Sequence, residues 1–160
     1  MKTISIIFIC LFFTVVIILF FLGIKSQSGH AAGLVNGKLA RCPDTPNCIN
    51  SEYPEQQTHY TSPLKLLLKR KMSTSPINTL KDIIDEMGGM IETEENNYLA
   101  ATFTSKIFRF VDDVEFRIDD ETNLVHLRSA SRVGRRDMGA NKKRVDLIRQ
   151  RYEKKLLSSR

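Results

Sequence analysis

The chain has 160 residues, with 24 Lys/Arg against 18 Asp/Glu, a formal net charge of +6 and 42% hydrophobic residues. Three cysteines exclude a densely cross-linked miniprotein. With the apolar N-terminal stretch set aside, about 130 residues remain, room for one domain with a modest core. The charge is uneven: from Arg132 to Arg160 eleven Lys/Arg face three acids, so that end carries +8 and the rest −2. Such an end can draw the phosphates of nucleic acid or anionic lipid, or it can be an ordinary solvated helix face.

Ile4 to Ile24 reads ISIIFICLFFTVVIILFFLGI, without a charge, between Lys2 and Lys25. As a helix it spans about 30 Å, the thickness of a bilayer's hydrocarbon core. The apolar region of a secretory signal is shorter, about 7 to 15 residues. Residues 1–25 are therefore expected to form a single-pass transmembrane anchor, contacting the membrane through residues 4–24. Gly29-His30-Ala31 offers small residues for cleavage, so removal as a signal stays open. Cys10, preceded by bulky Phe8 and Ile9, reads as an apolar side chain and not as a lipoprotein cysteine. Lys2 on one flank and Lys25, Lys38 and Arg41 on the other barely discriminate orientation.

Residues 26–41 are small, polar and glycine-containing, as in a flexible tether, and residues 42–160 are expected to form a single α+β domain. It opens with Cys42-Pro-Asp-Thr-Pro-Asn-Cys48. Two cysteines six apart, stiffened by Pro43 and Pro46, suit a small disulfide ring if their Cα atoms come within about 7 Å. Unpaired thiols and metal ligation are the alternatives, but His30 and His59 stand at no recognised ligand spacing and two thiolates do not complete a zinc site. A disulfide behind a membrane anchor favours an extracytoplasmic domain.

After a polar, irregular stretch from Ile49 to Ser62, Pro63–Lys71 carries a run of leucines that periodicity cannot assign to helix or strand. Ser75-Pro76 is a helix start, a capping residue followed by proline at the first helical position. Ile77, Leu80, Ile83, Ile84 and Met87 share one face, and Gly88-Gly89 ends the helix. Met90–Thr93 and Tyr98–Phe103 read as strands around a turn at Glu94–Asn97, with Leu99, Ala101 and Phe103 on one face. Ile107–Ile118 and Leu124–Arg132 form a second strand pair around Asp119–Asn123. Pairing Ile118 with Val125 sets Phe116 beside Leu127 and Val114 beside Ser129, with Glu115 by Arg128 and Arg117 by His126 on the other face. A slip of one residue would oppose charges to apolar groups, so the register is well specified. Asp112 falls on the apolar face opposite Ser131, and a carboxylate there needs donors, with Ser129, Ser131 and the following turn the nearest. A last helix near 141–157 places Val145, Ile148, Tyr152 and Leu156 in one stripe. The fold class is α+β: an antiparallel sheet covered on one face by two helices, preceded by the transmembrane helix.

Three blocks carry a resemblance. Cys42–Cys48, Phe110-Val-Asp-Asp-Val-Glu-Phe116 and Arg128-Ser-Ala-Ser-Arg-Val-Gly134, continuing through Asp137-Met-Gly-Ala-Asn141 and Lys143-Arg144-Val145, resemble the signature blocks of domain-of-unknown-function family 1499. The resemblance covers roughly residues 40–150. It picks out Asp112, Asp113, Glu115, Arg128, Ser129, Ser131, Arg132, Gly134, Asp137, Gly139, Asn141 and Arg144 beside the two cysteines. It implies a small, often membrane-associated envelope or organelle protein and assigns no chemistry. Arg135-Arg136 departs from the family pattern, where an uncharged pair is more typical, and adds positive charge beside the site.

Chemistry can be weighed against these positions. Asp112 and Asp113 alternate to opposite faces, which spoils a compact cation site, and neighbouring arginines compete with a metal. His126 lies on the opposite face from Ser129, which argues against a nucleophilic triad. No second buried carboxylate is expected beside Asp112 to form an acid/base pair. No catalytic residue, metal or cofactor is therefore assigned. The binding candidate is Asp112, Ser129, Ser131, Arg132, Arg135, Arg136, Asn141 and Arg144, where arginines meet a helix start and can hold a phosphate or carboxylate. The competing structural reading has Asp137 or Asn141 capping that helix and Arg132 pairing with Asp112 or Asp113. The expected function is a non-catalytic, membrane-anchored envelope module that binds an anionic ligand, lipid or partner protein. The alternative is an enzyme or metal protein centred on Asp112 and the Ser129–Asp137 turn. Nucleic acid is disfavoured, because no known motif is present and an anchor limits access.

Overall fold

The computed structural model describes residues 2–66 and 75–158. Its first element is the helix α1, Lys2–Gln27, which is long and apolar enough to cross a membrane and whose apolar side chains from Ile4 to Phe21 are almost all exposed. The disulfide Cys42–Cys48 closes, with Cα atoms 5.7 Å apart.

Residues 26–41, expected as a flexible tether, carry a small hairpin, β1 (Leu34–Val35) and β2 (Lys38–Leu39). Its turn is Asn36-Gly37, both at positive φ, the backbone that a tight hairpin needs. Leu39 is fully buried with Tyr98 and Ala100, so burial of one leucine fastens the segment to the domain.

The sheet has six strands: β3 (Cys48–Asn50), β4 (Leu64–Lys65), β5 (Met90–Glu95), β6 (Tyr98–Thr104), β7 (Val111–Asp119) and β8 (Leu124–Ser131). The order is β3-β8-β7-β6-β5, with β4 pairing on β8 as well, and every pair is antiparallel. The expected register of β7 and β8 is the one found, from Asp112 opposite Ser131 to Ile118 opposite Val125. Strand β7 begins at Val111 and not at Ile107, because Arg109 takes a positive φ and residues 105–110 turn back against α1.

The helix α2, Pro76–Glu86, begins after Ser75 as expected, yet the Ser75 side chain makes no capping hydrogen bond. Gly88, at positive φ, carries the chain out of α2. Gly89 has a different role: a Cβ there would stand 2.7 Å from Ile84 and 2.8 Å from Phe103. The helix α3 runs Ala140–Ser158. Leu80, Ile83 and Ile84 of α2 and Val145, Ile148, Tyr152 and Leu156 of α3 join Leu64, Leu99, Ala101, Val114, Phe116, Ile118, Val125 and Leu127 in one core cluster. Ile77, Met87 and Phe103 pack at its margin. Of the leucines after Pro63, Leu64 is buried and Leu66 packs against the core, while Leu67 and Leu68 lie outside the described residues.

Candidate functional site

Strand alternation divides the acidic residues of β7 between two environments. Asp112 shares a side with Val114 and Phe116 and meets Arg144 of α3, Nη2 donating to Oδ2 at 2.7 Å. Asp113 and Glu115 take the other side. The Arg132 guanidinium grips Asp113 through Nε and Nη2, at 2.7–3.0 Å. Arg128 Nη1 donates to Glu115 at 2.6 Å, and Glu115 also accepts the Tyr98 hydroxyl at 2.9 Å and the Gly33 N–H at 2.7 Å. Glu115 is fully buried, and these donors make that burial tolerable. The same surroundings, burial first and the Glu115 charge second, push the Tyr98 phenol well above its ordinary value, so it stays a donor.

The candidate residues thus fall into three groups. Asp112, Ser129, Ser131, Asn141 and Arg144 come together where the β7–β8 end meets the start of α3. Buried Asn141 is their hub: it accepts from the Ser129 hydroxyl at 2.6 Å and from Arg144 at 2.6 Å, and donates to Ser131 Oγ and to the Asn47 carbonyl, each at 3.0 Å. Arg144 also donates to Ser129 and lies 4.8 Å over the Phe103 ring. The expectation that serines and turn backbone would hold Asp112 gives way to Arg144, whose charge answers a carboxylate more strongly than a hydroxyl can. Arg132 departs to the opposite side with Asp113. Arg135 and Arg136 are exposed in the turn between β8 and α3, without an ion-pair partner among the described residues.

Asp137 secures the start of α3, accepting the Gly139 and Asn141 N–H groups at 3.0 and 2.8 Å. Those orphan donors are therefore occupied and do not face outwards. Most of the basic tail is internally engaged too. Lys142 pairs with Asp146, Arg151 and Lys155 with Glu86, and Arg149 donates to the Pro63 and Ser62 carbonyls.

Two corrections concern the charged side of the sheet. Arg117 and His126 are opposite in register, as expected, but Arg117 turns to Glu52 at 2.6 Å, with Asp119 at 3.3 Å. A carboxylate outcompetes an imidazole for a guanidinium. His126 Nδ1 instead lies 3.3 Å from the Ser51 hydroxyl and 3.7 Å from Glu52, and burial holds its pKa below the usual value against the pull of Glu52. Second, Asp112 is only partly buried, and the buried carboxylates are Glu52, Asp113 and Glu115. Each faces an arginine, so none forms a carboxylate pair sharing a proton.

Sequence reasoning missed Asn47, Ser51, Glu52 and Gly33. They lie in stretches without periodicity, and their partners are more than sixty residues away in most cases. The hairpin that brings Gly33 to Glu115 did have a signal, the dipeptide Asn36-Gly37. Among the described residues, no three His, Cys, Asp or Glu side chains gather as a metal-holding group.

Fold and site together define an α+β domain built on an antiparallel sheet whose central strands β7 and β8 are covered on both sides, one by apolar side chains and one by arginine–carboxylate pairs. A family model described as protein of unknown function (DUF1499) matches residues 38–151, and the chain belongs to that family. No curated protein and no solved structure matches the chain.

Proposed function

We propose that the protein is a single-pass, membrane-anchored envelope module that binds anionic lipid through the β8–α3 turn, with Arg135 and Arg136 as the contacting cations. The observation that carries this reading is the union of α1 with the end of the sheet from which that turn projects. Ser26, in the last turn of α1, is fully buried; its hydroxyl accepts the Val111 N–H at 3.1 Å and its carbonyl accepts Arg132 Nη1 at 3.4 Å. The Gly29 backbone lies against the Arg132 side chain. Cleavage at Gly29–Ala31 would remove these partners and leave the Val111 N–H unpaired. A transient signal gains nothing from being hydrogen-bonded into the domain it leaves, which supports a retained anchor over a cleaved leader. The Cys42–Cys48 disulfide supports an oxidising, extracytoplasmic location.

In this setting Arg135 and Arg136 are exposed close in sequence to Met138, which is 95% exposed and held at positive φ. A cation close to an anionic bilayer contributes about 1 kcal/mol, falling off with salt. Asp112, Ser129, Ser131, Asn141 and Arg144 then act as the support that fixes the turn, and Arg132 fixes it from the other side of the sheet.

The test uses the full chain in bilayer nanodiscs, with Cys10→Ser and a fluorophore on Met138→Cys. Quenching by a headgroup-labelled lipid is expected to be stronger in phosphatidylglycerol than in phosphatidylcholine discs. It should weaken with added salt and in the Arg135→Ala/Arg136→Ala variant. Equal, salt-independent quenching in both lipids would sink the charge-driven reading.

A further inference from the structure

We infer that the β6–β7 connection, Ser105-Lys-Ile-Phe-Arg-Phe110, is a second membrane-contacting element, a wedge whose Ile107 and Phe108 enter the bilayer beside α1. The inference rests on α1 spanning the membrane, and it concerns a surface separate from the arginine turn.

The depth of the loop follows from where it meets α1. The helix backbone at Gly23 touches it so closely that a Cβ there would lie 1.7 Å from the Phe108 carbonyl oxygen. The Phe108 ring also packs edge-on against Phe20, with centroids 5.2 Å apart. Both contacts fall inside the uncharged stretch that ends at Ile24. Phe20 lies about 7 Å below Lys25 along the helix axis. The uncharged stretch only just matches a hydrocarbon core of about 30 Å, so α1 has no spare apolar length with which to lift Phe20 into water. A loop fastened to Phe20 and Gly23 is carried to the same depth.

The residues of the loop suit that position. Ile107 is 71% exposed, and Phe108 and Phe110 are half-buried with ring centroids 6.2 Å apart. In water this would be an unsupported apolar tip. Lys106 and Arg109 flank it, both exposed, and their long stems allow the charges to reach the headgroups while the apolar tip sinks.

Non-helical backbone at a membrane must find its own hydrogen bonds, and the base of this loop does so. The Ser105 N–H donates to the Phe110 carbonyl at 2.8 Å, and the Phe110 N–H to Ser105 Oγ at 2.8 Å. The next N–H, of Val111, is taken by Ser26 of α1, whose hydroxyl also lies 3.5 Å from the Arg109 carbonyl. Helix and wedge thus grip the bilayer as one unit and set the tilt of the domain above it.

The experiment places a nitroxide on Ile107→Cys in the full chain carrying Cys10→Ser, reconstituted in phosphatidylcholine bilayers. Two references are a nitroxide on the native Cys10 and one on Glu121→Cys (with Cys10→Ser), in the β7–β8 turn at the far end of the sheet. Collision with oxygen is compared with collision with a water-soluble nickel chelate. The label at 107 is expected to favour oxygen, as the Cys10 label does, while the label at 121 favours nickel. A label at 107 that matches 121, with Cys10 still in the bilayer, would overturn the wedge and leave the anchor standing. A nickel-accessible Cys10 would overturn both.

Discussion

Glu115 shows how much this fold depends on pairing at single residues. Its carboxylate is sealed off and satisfied by Arg128, Tyr98 and the Gly33 backbone. Replacing it by leucine leaves the Arg128 charge buried without its partner, which costs about 3–5 kcal/mol. The urea midpoint of Glu115→Leu should fall accordingly, and the double variant Glu115→Leu/Arg128→Met should regain a large part of the loss, because no orphaned charge remains. His126 supplies a pH dependence. Burial, with Arg117 assisting, holds its folded pKa below the ordinary 6.5, so the unfolded chain takes up the proton first as pH falls. Stability from this residue is complete above pH 6.5, declines as pH falls through that value, and levels off below the folded pKa. Unfolding measured from pH 8 to 5 (a range of about three units) should show this slope in the wild type and a flatter one in His126→Gln. Asp119, held below its ordinary 3.8 first by the Thr122 backbone N–H, acts only further into acid and does not confuse the assignment.

At the scale of elements, the start of α3 is a junction. Asn141 ties β8 to the disulfide loop through Ser129, Ser131 and the Asn47 carbonyl. Asn141→Ala strands several buried polar groups at once and should destabilise the domain by about 1–3 kcal/mol, read as a lower thermal midpoint. Opening the Cys42–Cys48 ring, as in Cys42→Ser/Cys48→Ser, should remove about 2 kcal/mol, the closure entropy of so short a loop. The hairpin β7–β8 could be read from the sequence down to each cross-strand pair, because alternation of Val114, Phe116 and Ile118 with charges admits one register. The stripe on α3 was equally legible, since Val145, Ile148, Tyr152 and Leu156 follow the helical period. The partners of the buried charges were not. Alternation places Arg117 on a face but is silent about Glu52, which arrives from a loop 65 residues away. At the candidate site, Arg144 took the place of the serines at Asp112, while Arg132 chose Asp113, one of the two carboxylates the structural reading offered it.

Across the whole molecule, the decisive feature is that α1 and the domain share hydrogen bonds and side-chain contacts. Hydropathy marked α1 as able to cross a membrane, but nothing local to residues 20–29 indicated that Gly23, Ser26 and Gly29 would be fitted to Phe108, Val111 and Arg132. That fit makes a hydrophobic segment part of the domain's own structure. Gly23→Leu should break the union without touching the core cluster. Trypsin should then cut at Lys25 faster than in the wild type in membranes, while the thermal midpoint of the domain stays close to its original value. Whether α1 is retained is read most directly from the intact mass of the protein extracted from cell membranes. Retention of residues 4–24 in the mature chain, with the Cys42–Cys48 disulfide closed, is the result this structure predicts. A mature chain beginning at or after Gly29 would contradict it.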